Sequence, residues 1–213
     1  MVKSKLSWLV PATVTGALVP FASIAWRLSQ HRLGANPIAT ALNQLGLLSL
    51  IFLCASLSCT PLKIAFAWNW PLRVRRTLGL CAFFSVVLHF LVYLVLDQNF
   101  VISAVVADIS KRPFIALGFA AFVCLVPLAL TSTKRSLARL GFRRWQLLHR
   151  LAYAIGVLSV LHFYLRVKVD HTQPIVYGLI LGLGFALRAI AKLQKSRAVR
   201  ARESTRHAKQ GSA

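Results

Sequence analysis

The chain has 213 residues, 57% of them hydrophobic, with a mean hydropathy of +0.67 and a formal net charge of +22. That hydrophobicity excludes an ordinary soluble domain. The acidic residues are only four, Asp97, Asp108, Asp170 and Glu203, which excludes a carboxylate pair for hydrolysis and midplane carboxylates for ion or proton coupling.

A transmembrane helix needs about 20 mainly apolar residues. Six stretches approach that length, near 8–26, 38–59, 78–96, 114–131, 146–165 and 174–191. Their apolar runs are continuous rather than alternating, so they read as helices and not barrel strands. The first follows Lys3 and Lys5, but its apolar run is too long for a signal peptide, so a retained helix is expected. The fold class expected is all-α: a polytopic membrane protein built as a six-transmembrane-helix bundle over residues 1–191. Residues 192–213 form a basic, polar tail expected to extend the last helix and fray into disorder.

Charge sets the expected topology. Of the 26 Lys and Arg, six lie in the loops holding Arg27, Arg32, Lys111, Arg112, Arg166 and Lys168, and the other 20 lie on the alternate side. By the positive-inside rule, both termini of this multi-pass protein are expected to be cytoplasmic. The basic excess is a topology signal with affinity for the lipid bilayer, and no nucleic-acid partner is expected, because no folded soluble module with interleaved aromatics is present. Cys54, Cys59, Cys81 and Cys124 fall in or beside the apolar segments without a CxxC pair, so they read as small apolar residues.

Three histidines lie inside these segments: His89 in the third, His149 and His162 in the fifth. An unpartnered imidazole is costly in a bilayer, and neutral imidazole is a common axial ligand of heme iron. Segments three and five run in the same direction, and the depth of His89 matches that of His162. The pair His89–His162 is therefore expected to ligate one b-type heme between the third and fifth helices. His149, thirteen positions before His162, lies about 20 Å away along the axis and roughly 140° around it, so helix tilt, bending or a local irregularity near Gly156 would have to bring it toward the same groove. It is the candidate ligand of a second heme. The position fourteen residues before His89 is Arg75, not a histidine, and a guanidinium suits a propionate rather than iron. Arg75, Arg76 and Arg150 are the candidate propionate contacts, and Arg166 and Lys168 could serve the outer propionates. His31, His171 and His207 read as solvated surface residues. On residues alone, a heme-free transporter or assembly factor stays open as an alternative.

The run LTSTKRSLARLGFRRWQLLHRLAYAIGVLSVLHFYLRVK (130–168) resembles the MsrQ (YedZ) family. This family provides the heme-binding membrane subunit of a periplasmic methionine sulfoxide reductase system. LGANP (33–37), RVRRTLGLCAFFSVVLHFLVYL (73–94) and SKRPFIALG (110–118) resemble it in the same order. More broadly the chain is similar to the ferric-reductase-like transmembrane superfamily, from whose four-histidine pattern it departs at Arg75. The resemblance implies an electron-transfer subunit rather than the catalytic one. It implies electrons from the quinone pool or a cytosolic flavin reductase, passed through heme b (one or two) to the molybdopterin reductase MsrP, with FMN as a further cofactor. A stand-alone ferric-reductase-like protein with another acceptor is the rival within the superfamily.

Overall fold

The computed structural model describes residues 6–210. Among these, the chain is helical throughout, and six helical runs are long and apolar enough to cross a membrane: Leu9–Ser29, Pro37–Phe66, Pro71–Asp97, Pro113–Leu130, Phe142–Arg166 and Thr172–Arg200. The elements are α1 (Leu9–Ser29), α2 (Pro37–Phe66), α3 (Pro71–Val92) running on into a π-helical turn (Tyr93–Asp97), α4 (Ile102–Lys111), α5 (Pro113–Leu130), α6 (Lys134–Leu140), α7 (Phe142–Leu148), α8 (Leu151–Arg166) and α9 (Thr172–Gln210).

Helix starts are written in short signals. Asn36 caps α2, its side-chain oxygen accepting from the Ala39 N–H at 3.0 Å, and Pro37 follows at the first helical position. Pro71 and Pro113 start α3 and α5 in the same way, with Arg112 extended ahead of Pro113. At the start of α9 the Asp170 carboxylate accepts from the Thr172 N–H at 2.9 Å.

The bundle is organised around two antiparallel pairs, α2 with α3 and α5 with α8. In the first, serine hydroxyls donate to carbonyls of the facing helix: Ser85 to Leu45 at 2.9 Å, Ser56 to Arg75 at 2.8 Å and Ser49 to Ala82 at 3.3 Å. Such small, hydroxyl-bearing contacts let helix backbones approach closely where lipid offers no hydrophobic drive. α9 leans on both pairs. Leu57 of α2, Ile155 of α8 and Leu181 of α9 are buried together, and Gly156 lies against Leu57 and Leu181. α1 rests on the outside of α3, with Phe21 edge-on to Phe84 at 5.4 Å.

Several features go beyond the sequence expectation or differ from it. α2 runs past Pro61, near which a boundary was expected. Proline has no N–H to give the Leu57 carbonyl four residues earlier, and Arg188 of α9 supplies the missing donor through Nη2, while its Nη1 donates to the Tyr153 hydroxyl at 2.6 Å. The fifth span is broken by a turn at His149–Arg150, where the Arg150 N–H reaches back to the Leu147 carbonyl at 3.1 Å. Gly156, near which an irregularity would have turned His149 toward the groove, lies in the regular part of α8. The tail continues as helix to Gln210, and α4, α6 and α7 are short helices in the connections.

If Arg188 completes the α2 ladder at Pro61, Arg188→Leu leaves the Leu57 carbonyl unpaired in an apolar setting and should destabilise the bundle by about 1–3 kcal/mol. Pro61→Ala in the same chain restores an N–H and should recover most of that loss. Thermal unfolding of the two single variants and the double variant in detergent checks the pairing; additive losses would refute it.

Candidate functional site

α2, α3, α4, α5 and α8 enclose a cavity of about 280 Å³. Its deep wall is apolar, made by residues such as Leu50, Leu53, Leu125 and Ile155. Its mouth is polar, with Asn43, Tyr93, Asp97, Arg112 and Arg166. His89 of α3 and His162 of α8 face each other across it, ring centres 6.5 Å apart and planes at 89°.

Each ring is tied by one nitrogen to the backbone of the neighbouring helix. His89 Nδ1 is 2.9 Å from the Leu42 carbonyl oxygen of α2, and His162 Nδ1 is 2.6 Å from the Phe114 carbonyl oxygen of α5. A carbonyl can only accept, so both Nδ1 atoms carry the proton and both Nε2 atoms keep a lone pair. This is the arrangement that orients metal-binding histidines and raises their basicity. Two imidazoles each bonded at about 2 Å to one central ion place their ring centres roughly 6 Å apart, and the observed separation meets that requirement. The donor pair, the apolar wall and the cations at the mouth fit a heme, which His89 and His162 would hold between them.

At the mouth, Arg166 donates through Nη2 to Asn43 Oδ1, and its charge acts on both imidazoles. Asp108 of α4 collects three donors. Tyr93 Oη reaches it at 3.1 Å, Gln98 Nε2 at 3.2 Å, and Arg112 Nε pairs with it at 3.3 Å. Tyr93 opens the π-helical turn, and such turns are frequent at functional sites.

The other sequence candidates lie toward the opposite, basic end. His149 closes α7, stacked on Trp145 with ring centres 4.0 Å apart, and its Nε2 meets Thr131 Oγ1 at 3.2 Å. Thr131 itself donates to the Pro127 carbonyl at 2.6 Å, so its hydroxyl is the acceptor and His149 the donor. Arg75 contacts Thr60 Oγ1 at 3.4 Å and lies near enough to His149 and Arg188 to act on both electrostatically. Arg76 and Arg150 are exposed. The structure thus brings His89 to His162 and Arg75 toward His149, and leaves Arg76 and Arg150 on the surface. Sequence reasoning missed the two carbonyl anchors, Asn43 and the Asp108 network.

Comparison with known proteins places this geometry in a family. A 191-residue stretch is 46% identical to the protein-methionine-sulfoxide reductase heme-binding subunit MsrQ of Deinococcus radiodurans, covering 89% of this chain and 94% of that protein. The protein of the same name from Rhodospirillum rubrum is 46% identical over 89% of this chain and 91% of its own length. The one from Xanthomonas oryzae pv. oryzae is 40% identical over 96% of each. The chain belongs to the MsrQ family. Residues 40–160 also match the family described as ferric reductase like transmembrane component. With six apolar spans, this MsrQ-family chain is a multi-pass membrane protein, and His89, His149 and His162 all lie within the matched stretch or within two residues of its end.

The Asp108 network yields a local prediction. Asp108→Asn removes the charge that holds Arg112 and weakens the hold on Tyr93 and Gln98. Amide exchange followed by mass spectrometry should speed up over 93–112 and stay unchanged in α8; equal protection in both variants would show that the network holds nothing in place.

Proposed function

We propose that this chain is a b-type cytochrome subunit that carries electrons across the inner membrane, both termini cytoplasmic, to a periplasmic molybdopterin methionine sulfoxide reductase, MsrP. The observation that carries this reading is the facing pair His89 and His162, each with Nδ1 tied off, Nε2 left with its lone pair, and the ring lining a shared cavity. A heme held there supplies a one-electron ferric/ferrous couple. The residues of the chain hold and tune it. Leu42 and Phe114 fix the ligand tautomers, the apolar wall excludes water, and Arg166 places a positive charge at the mouth, where propionates would be satisfied.

The inner half of the conduit is proposed around His149, with Arg75 toward a propionate of a second heme. That arrangement requires His149 to release Thr131 and turn from beneath Trp145. Electrons would enter at the basic, cytoplasmic end from a flavin reductase or from the quinone pool. Arg76 and Arg150 are exposed there and suited to an acidic donor. FMN follows from the family resemblance, and no residue is assigned to it.

Spectra of the purified protein test the reading. His89→Ala and His162→Ala should each abolish the same low-spin b-type signal; survival of that signal in either variant would sink the ligand assignment. A hemochrome assay should count one heme fewer in His149→Ala than in the parent, and equal counts would remove the inner site. A unit charge some 8 Å away at an effective dielectric near 20 is worth about 2 kcal/mol, so Arg166→Leu should lower the midpoint potential of the His89–His162 heme in a redox titration. Dithionite-reduced protein should reoxidise only when MsrP and a methionine sulfoxide are both added.

A further inference from the structure

His89 and His162 each rest on a glycine of the helix beside them. A Cβ at Gly46 would stand 3.2 Å from both Nδ1 and Cε1 of His89, and nothing else lies within 4 Å of it. A Cβ at Gly118 would stand 2.7 Å from Nδ1 and 2.9 Å from Cε1 of His162. Among the other helical glycines none meets an imidazole: Gly156 meets Leu57, Leu181 and Phe185, Gly178 meets Val160, Gly184 meets Pro61, and Gly79 meets the Ser56 hydroxyl, which donates to the Arg75 carbonyl four residues earlier.

The two glycines occupy the same place relative to the carbonyl anchors. Leu42 precedes Gly46 by four residues, and Phe114 precedes Gly118 by four. A helical carbonyl points toward the residue four positions on, so a side chain there shields its second lone pair. Glycine leaves that lone pair open to the imidazole. The separations repeat as well, with 47 residues from Leu42 to His89 and 48 from Phe114 to His162. One device is therefore built twice, in α2–α3 and in α5–α8, and the two copies set the rings at 89° to each other.

We propose that Gly46 and Gly118 are positioning residues that open a backbone carbonyl to each axial histidine and so fix the tautomer and the perpendicular planes of the ligand pair. The proposal rests on the reading of His89 and His162 as heme ligands. Helix–helix packing is not an adequate account of these two glycines, since the nearest atoms are those of the imidazoles. The clash at Gly118 falls on the ring itself, which an iron bond and a carbonyl bond would hold from both sides.

Gly46→Ala, Gly118→Ala and the control Gly182→Ala, whose Cβ meets nothing within 4 Å, distinguish the two accounts. The readouts are the electron paramagnetic resonance of the ferric protein and its midpoint potential. Perpendicular imidazole planes give a strongly anisotropic low-spin signal. The control should keep the parental signal and potential. Gly46→Ala and Gly118→Ala should stay low-spin but lose anisotropy, and their potential should rise, because an imidazole without its carbonyl partner is a poorer donor to ferric iron. Parental line shape and potential in both variants would overturn the proposal. Should Gly118→Ala take up no heme, nitrogen-15 histidine NMR of the heme-free chain decides. The parent should show His162 protonated at Nδ1, and the variant should lose that single tautomer; an unchanged tautomer counts against the proposal. Failure of the ligand reading itself looks different: His162→Ala would retain the low-spin signal.

Discussion

Two side-chain-to-backbone bonds, His89 to the Leu42 carbonyl and His162 to the Phe114 carbonyl, are what the rest of this bundle is arranged to hold. A neutral imidazole in an apolar interior has one donor and one acceptor to place. Committing the donor to a helix backbone costs little mobility, because that carbonyl is already fixed by its own ladder. What remains is a directed lone pair. Each anchor helix is set in turn by short signals: the Asn36 cap and Pro37 just ahead of Leu42, and Pro113 immediately before Phe114. The serine bonds between α2 and α3 then fix the height of His89 against Leu42. Local capping chemistry thus determines where an imidazole nitrogen points.

The two ends of the bundle solve polar burial differently. At one end, histidines are held by carbonyls around an open cavity. At the other, arginines complete broken backbone or pack against hydroxyls. Arg188 satisfies the carbonyl that Pro61 orphans and takes Tyr153 as a second partner. Tyr153 lies four residues after His149, so α9 braces α2 and α8 beneath the break in the fifth span. Arg75 stands where a symmetrical arrangement would place a fourth histidine, and it turns to Thr60. Guanidinium is protonated at any accessible pH, so this end carries fixed charge where the other carries neutral donors.

The six spans were legible because length and apolarity alone decide them, and the His89–His162 pairing was legible because depth in parallel spans is a matter of residue count. The break at His149–Arg150 was not. Apolar residues flank His149 and Arg150 on both sides in LLHRLAYAI, and no glycine or proline stands at the turn. α6 and α7 have seven residues each and α4 ten, too short for periodicity to separate them from loop. The extension of α2 past Pro61 depends on an arginine 127 positions later in the sequence, a tertiary compensation that no local pattern contains. Gly46 and Gly118 were visible as isolated glycines in apolar segments. Their meaning needs the partner helix, since only the fold brings an imidazole over each.

Charge at the cavity mouth gives the site a direction. Arg112 is paired with Asp108, which offsets most of its field. Arg166, among the described residues, bonds to the neutral Asn43, so its positive charge is not cancelled by a carboxylate. The far wall offers Leu50, Leu53, Leu125 and Ile155, none of which can solvate an anion. A planar cofactor with an apolar body and an anionic edge would therefore be held with its edge toward Arg166 and its body against the leucines. Its edge would then lie at the end of the bundle with few Lys and Arg. On the proposed topology that end would face away from the cytoplasm. The asymmetry of two arginines, one neutralised and one not, would thus make the end opposite the basic loops the side from which an electron leaves.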